Sequence, residues 1–166
     1  MLIPSEECEM RTNKGFSLIE LLIVVAIILI IVVIAVPSFL RSRMAANEAA
    51  AMAALRTINS AQISYISAYP TVGFASSLTA LSGTNCTPPN STSACLIDTA
   101  LASGQRTGYS FQLSTGSGAP NGGYSAFASP VTFNYSGMRY FCTFEDVVIR
   151  ESGSAIATCN SSVSPQ

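Results

Sequence analysis

In the stretch KGFSLIELLIVVAIILIIVVIAVP, Lys14 to Pro37, one carboxylate interrupts hydrocarbon: Glu20 is the only ionisable side chain between Phe16 and Leu40. A charged group at the centre of a bilayer costs roughly 2.5–3.5 kcal/mol on insertion scales and usually marks a partner. No Lys or Arg follows Glu20 until Arg41, about six helical turns away, so a cation for it must come from elsewhere. The plainer alternative is a carboxylate near a helix end that snorkels to the interface and does little. Little else in the chain offers chemistry. There is no His, which rules out a Ser-His-Asp arrangement. No G-x-x-x-x-G-K-[ST] stretch is present for nucleotide phosphates. Cys86, Cys95, Cys142 and Cys159 lack the close C-x₂₋₄-C spacing of a zinc site. Asp98, Glu145, Asp146 and Glu151 could include a calcium ligand or two, but solvated loop charges are the better reading. The sequons at Asn90 and Asn160 arise easily in so Ser-rich a chain, and no glycan is assigned to them. The reading is therefore of a protein that is not an enzyme and takes no metal or cofactor.

The elements that carry these residues follow from composition. Only 10% of the 166 residues are Asp, Glu, Lys or Arg, against about a quarter in soluble globular proteins. The net charge of −1 gives no basic field for nucleic acid. A run of about 25 apolar residues makes a helix of roughly 37 Å, longer than the ~30 Å of bilayer hydrocarbon. It is too long for the core of a secretory signal peptide, and Phe39, Leu40 and Arg41 follow it rather than a small-residue cleavage site. Beyond Pro37 the residues remain good helix formers, and Pro70, with Thr71 and Gly73, gives the first firm stop. The expectation is one helix from Phe16 to about Ala68, kinked at Pro37, where the ring removes a hydrogen bond. Met44, Ala51, Leu55, Ile58, Tyr65 and Tyr69 share one helical arc, and Met52, Ile63 and Ile66 form a second. Two arcs ask for two sets of neighbours, the second including other subunits.

At Lys14 to Met44 the residues resemble the N-terminal signature of type IV prepilins and the related type II secretion pseudopilins. The features are Gly15 before an aromatic residue, Glu20 four residues after it, an unbroken apolar run and a late proline. The resemblance implies that residues 1–15 are a leader, cut by prepilin peptidase between Gly15 and Phe16, with Phe16 then N-methylated. That cut supplies the missing cation: a new α-ammonium on Phe16, with an ordinary pKa of about 7.7–8. In such proteins, the carboxylate corresponding to Glu20 pairs with the amine of a neighbour already in the filament. In a dry filament core, removing one partner of such a pair costs about 3–5 kcal/mol, so Glu20 would penalise subunits seated out of register. The run has no glycine, and no proline lies between Pro37 and Pro70, which leaves Pro37 as its softening point.

From Pro70 the periodicity changes. Residues 70–106 read as loop, and TGYSFQLST, YSAFASPVTFN, MRYFCTFEDVVIRE and SAIATC read as three to five short strands between Gly, Asn, Pro and Ser turns. Pro130 assigns its run to an edge strand or a bulge. The fold class is therefore α+β: a long kinked helix, half of it transmembrane, packed on a small antiparallel sheet, as in pilin heads. The expected organisation is a leader at 1–15, a helix at 16–69 with a membrane or filament-core part at about 16–40, and a disulfide-bonded head at 70–166. Removal of the leader takes Cys8 with it and leaves four cysteines, which allow three connectivities. The local pairs Cys86–Cys95 and Cys142–Cys159 are the simplest, and disulfides place the head outside the cytoplasm.

The resemblance implies a type IV pilus subunit. It would be held in the inner membrane with a cytoplasmic N-terminus, then polymerised with copies of itself by an assembly platform and its ATPase motor into an extracellular filament. Adhesion, motility or DNA uptake would belong to the filament. Two alternatives stand beside it: a type II secretion pseudopilin, and a single-pass membrane protein with a periplasmic binding head that keeps its first 15 residues.

Overall fold

A computed structural model describes residues 15–83, 86–116 and 120–166 of the chain. Its first element is α1, Leu18–Ala68, with Pro37 inside it. The chain divides within this helix into two compact units, Met1–Phe39 and Leu40–Gln166. In the first unit, every described residue is exposed. By length and composition, α1 can cross a membrane.

The second unit is built on the C-terminal half of α1. After Ala68 the chain turns through Pro70 to Gly73, whose amide donates to the Tyr69 carbonyl at 3.1 Å. Gly73 has φ +83°, and a Cβ there would run into the backbone of Asn121, so this turn requires glycine. Two one-turn helices follow, α2 (Leu78–Leu81) and α3 (Thr99–Ala102). Ser77 and Asp98 cap them, accepting from the amides of Ala80 at 3.1 Å and Leu101 at 2.6 Å. The sequence reads this stretch as loop because a single turn has no periodicity to show.

The sheet contains β1 (Gln105–Arg106), β2 (Tyr109–Thr115), β3 (Tyr124–Pro130), β4 (Tyr140–Phe144) and β5 (Arg150–Ser152). It is an antiparallel meander in the order β1-β2-β3-β4-β5. Tyr109 and Phe111 of β2, Tyr124, Ala126 and Ala128 of β3, and Phe141 of β4 are buried with Ala51, Ala54, Leu55, Ile58 and Tyr65 of α1 in one core.

Two strand expectations are corrected. Pro130 belongs to the central strand, not to an edge or bulge. It is the last residue of β3, opposite Tyr109, where a missing amide affects only the end of the ladder. SAIATC forms no strand. The outer side of β5 is instead taken by the chain end: the Glu151 amide donates to the Ser164 carbonyl at 2.9 Å, and the Gln166 amide donates to the Ile149 carbonyl at 3.1 Å.

Candidate processing and assembly site

The residues at the start of α1 are exposed. Nothing lies within 4 Å of a Cβ built on Gly15, and Phe16 is 72% exposed. The helix begins two residues later than expected, at Leu18, and the Ser17 carbonyl accepts from the Leu21 amide at 3.2 Å. Phe16 therefore lies outside the helix, on exposed chain. Glu20 lies in the first turn, where its negative charge suits the unpaired amides and positive end of the helix. Pro37 sits inside α1, without an amide hydrogen for the carbonyl four residues before it. Cys8 and the rest of residues 1–14 lie outside the described residues.

In the head, the structure joins Cys86 to Cys95 and Cys142 to Cys159, with Cα separations of 5.8 and 5.9 Å. These are the two local pairs. Three of the four acidic residues weighed as calcium ligands have other partners, and Glu145 enters no ion pair among the described residues. Asp98 caps α3 and pairs with Arg106, Asp146 pairs with Arg150, and Glu151 pairs with Arg139. Hydrogen bonds from Arg150 hold the Asp146 carboxyl below its ordinary pKa, against the opposing effect of burial. No cluster of metal-binding side chains occurs among the described residues.

Four polar side chains of α1 that the sequence reading passed over tie the helix to the rest of the head. Asn47 donates to the Ser136 carbonyl at 2.8 Å. Glu48, buried, accepts from the Met138 amide at 2.9 Å and from Arg139 Nε at 2.8 Å. Asn59 donates to Thr143 Oγ1 at 3.0 Å and to the Val147 carbonyl at 3.2 Å, and accepts from the Tyr124 hydroxyl at 2.9 Å. Gln62 and the backbone of Ala75 exchange two hydrogen bonds, at 2.8 and 3.1 Å. Glu48 and Gln62 fall at helical steps of three and four from Ala51, Leu55, Ile58 and Tyr65. That spacing was the available signal.

A family model for the prokaryotic N-terminal methylation motif matches residues 10–36. The chain carries a type IV prepilin leader. The match takes in Gly15, Phe16, Glu20 and most of the apolar run. No curated protein and no solved structure matches the chain significantly. A prepilin leader implies processing by a prepilin peptidase and assembly into pilus-like polymers, and it fits a membrane-anchored precursor. The long apolar helix followed by a small antiparallel sheet has the α+β form of a type IV pilin.

Proposed function

We propose that this prepilin is a structural, non-catalytic subunit of a type IV pilus. It is cut between Gly15 and Phe16, N-methylated on Phe16, held in the inner membrane and then polymerised by an assembly platform and its ATPase into a surface filament. The observation that carries the reading is the methylation motif over residues 10–36, continuous with an exposed apolar helix. Lipid tails are as apolar as leucine, so helices leaving the bilayer to pack on one another gain little from the hydrophobic effect. Packing and a charge pair then set the register. Glu20 of an incoming subunit pairs with the Phe16 ammonium of its neighbour, and a misplaced subunit leaves a charge uncompensated.

Mass spectrometry of the fraction sheared from cells tests the assignment. The expected species begins at methylated Phe16 and carries two disulfides. The same processed chain found only in the envelope identifies a pseudopilin, and a chain that keeps its first residues identifies a membrane-anchored receptor-like protein. Glu20→Ala, as the only subunit, should be inserted and cleaved but assemble at least about tenfold less, the equivalent of at least about 1.4 kcal/mol per contact. A normal filament yield from that variant would refute the pairing.

A further inference from the structure

The head carries exposed apolar patches at opposite ends of β4, each with a charge, of opposite sign, that enters no ion pair among the described residues. The first is the turn after β4. Val147 and Val148 are 42% and 41% exposed, and Glu145 beside them enters no ion pair among the described residues. Val147 has φ +64°, a left-handed conformation that is a true outlier for a β-branched residue. The head enforces it from both sides: the Val147 amide donates to the Phe144 carbonyl at 2.8 Å, and its own carbonyl accepts from Asn59 at 3.2 Å. Glycine or asparagine would sit there without strain. Backbone strain of this kind collects at functional positions, and here it holds a half-exposed isopropyl group beside Val148.

The second patch is the connection before β4. Val131, Phe133, Tyr135 and Met138 are all about half exposed. With Arg43, Asn47 and Thr107, Val131 and Tyr135 line a hollow of about 500 Å³. The Arg43 guanidinium lies 5.8 Å from the Tyr135 ring centroid and has no carboxylate partner among the described residues. The same helix anchors both patches, through Asn47 at the hollow and Asn59 at the turn. Those residues are about 18 Å apart along α1 at 1.5 Å per residue.

We propose that the Glu145–Val148 turn of one copy of this chain seats in the hollow at Arg43, Val131 and Tyr135 of the next, with Glu145 facing Arg43. Different patches of one molecule, apolar and complementary in charge, make a head-to-tail contact, which repeats into an open helical filament wherever its rotation does not close into a ring. The proposal rests on the self-assembling subunit described above and names the contact its heads make.

A charge exchange in the full chain, expressed as the sole subunit, tests the contact. Glu145→Arg and Arg43→Glu should each lower the yield of sheared filaments about tenfold or more, because like charges then face each other. The double variant should recover most of it. Full yield from a single variant, or a double variant as poor as the singles, overturns the contact. Val147→Gly separates assembly from folding: relief of the strained backbone should raise the thermal midpoint of the detergent-solubilised chain while filament yield falls. A higher midpoint with unchanged yield counts against the proposal. Chains carrying Val148→Cys and Tyr135→Cys, co-expressed, should form a mixed disulfide dimer. Filaments without that dimer sink the contact and leave the subunit reading standing. The dimer without surface filaments keeps the contact and sinks the surface-pilus reading, and loss of both overturns both.

Discussion

Tyr65, Tyr109 and Tyr124 are buried phenols that act as donors. Their hydroxyls donate to the Ser91 carbonyl at 2.6 Å, to the Arg139 carbonyl at 2.8 Å and to Asn59 Oδ1 at 2.9 Å. Each bond needs the neutral phenol, and burial disfavours the phenolate. Burial is accordingly the first cause of every shift. It pushes Tyr65 up, with a contribution from Tyr69, and Tyr109 well up, with a contribution from Glu48. Tyr124 is pushed up to about 12, helped by Asp146 and Glu145. The unfolded chain releases these protons near pH 10, so above that point the folded state binds more protons than the unfolded state. Stability from these groups is complete below about pH 10 and is lost as pH rises through the folded values. For each such tyrosine the loss is about 1.4 kcal/mol per pH unit. Equilibrium unfolding of the full chain in detergent should show this alkaline fall, and Tyr124→Phe should make it shallower between about pH 10 and 12. An unchanged slope would mean that Tyr124 titrates normally in the fold.

At the scale of elements, α1 is held by two kinds of contact that differ in how readily the sequence shows them. The apolar arc of Ala51, Leu55, Ile58 and Tyr65 was readable because burial repeats every three to four residues, and all four are in the core. The second arc is divided: Ile63 is 50% exposed, whereas Met52 packs against the same core as the first arc. The polar ties were not read: Gln62 shares the spacing of the arc, but neither it nor Asn59 shows a partner until the groups they meet, 13 and 84 residues away, are placed. The same limit explains the strands. Alternation located β2 to β4, whereas the neighbour of β5 depended on where the chain end returns. Glu48 gives the sharpest test of the polar ties. It accepts from two backbone amides and Arg139, which also bridges to Glu151 at 2.6 Å. Glu48→Ala leaves those donors without their acceptor. Arg139 is 40% exposed and can turn to water, so the cost should be about 2–3 kcal/mol rather than that of a fully buried charge. Glu48→Gln keeps one acceptor and should cost less. Thermal unfolding of both variants measures the difference, and a destabilisation under about 0.5 kcal/mol for the alanine would show that the clamp is not holding the helix.

For the whole molecule, the two units answer to different solvents, and one perturbation should separate them. The apolar unit contains no cysteine between Gly15 and Phe39, and its fitness to cross a membrane rests on length and composition, which no disulfide alters. The head has a small core with several alanines, and two bonds close it, across sequence separations of 9 and 17 residues. Each bond contributes roughly 3 kcal/mol by restricting the unfolded chain. The Cys142–Cys159 bond has the wider effect. Cys142 is buried in β4, and the bridge returns the tail to the sheet, where residues 164–166 cover the outer side of β5. Loss of this bond frees that sheet edge as well as the loop, and an open edge invites strand pairing with other chains. Cys142→Ser with Cys159→Ser should therefore lower the thermal midpoint of the head by roughly 10–20 °C and speed amide exchange along β5, while insertion of the full chain into membranes stays at the wild-type level. Loss of insertion would show that the head and the apolar helix do not fold as separate units. An unchanged midpoint would show that the core of Tyr65, Tyr109 and Phe141 carries the head without its covalent closure.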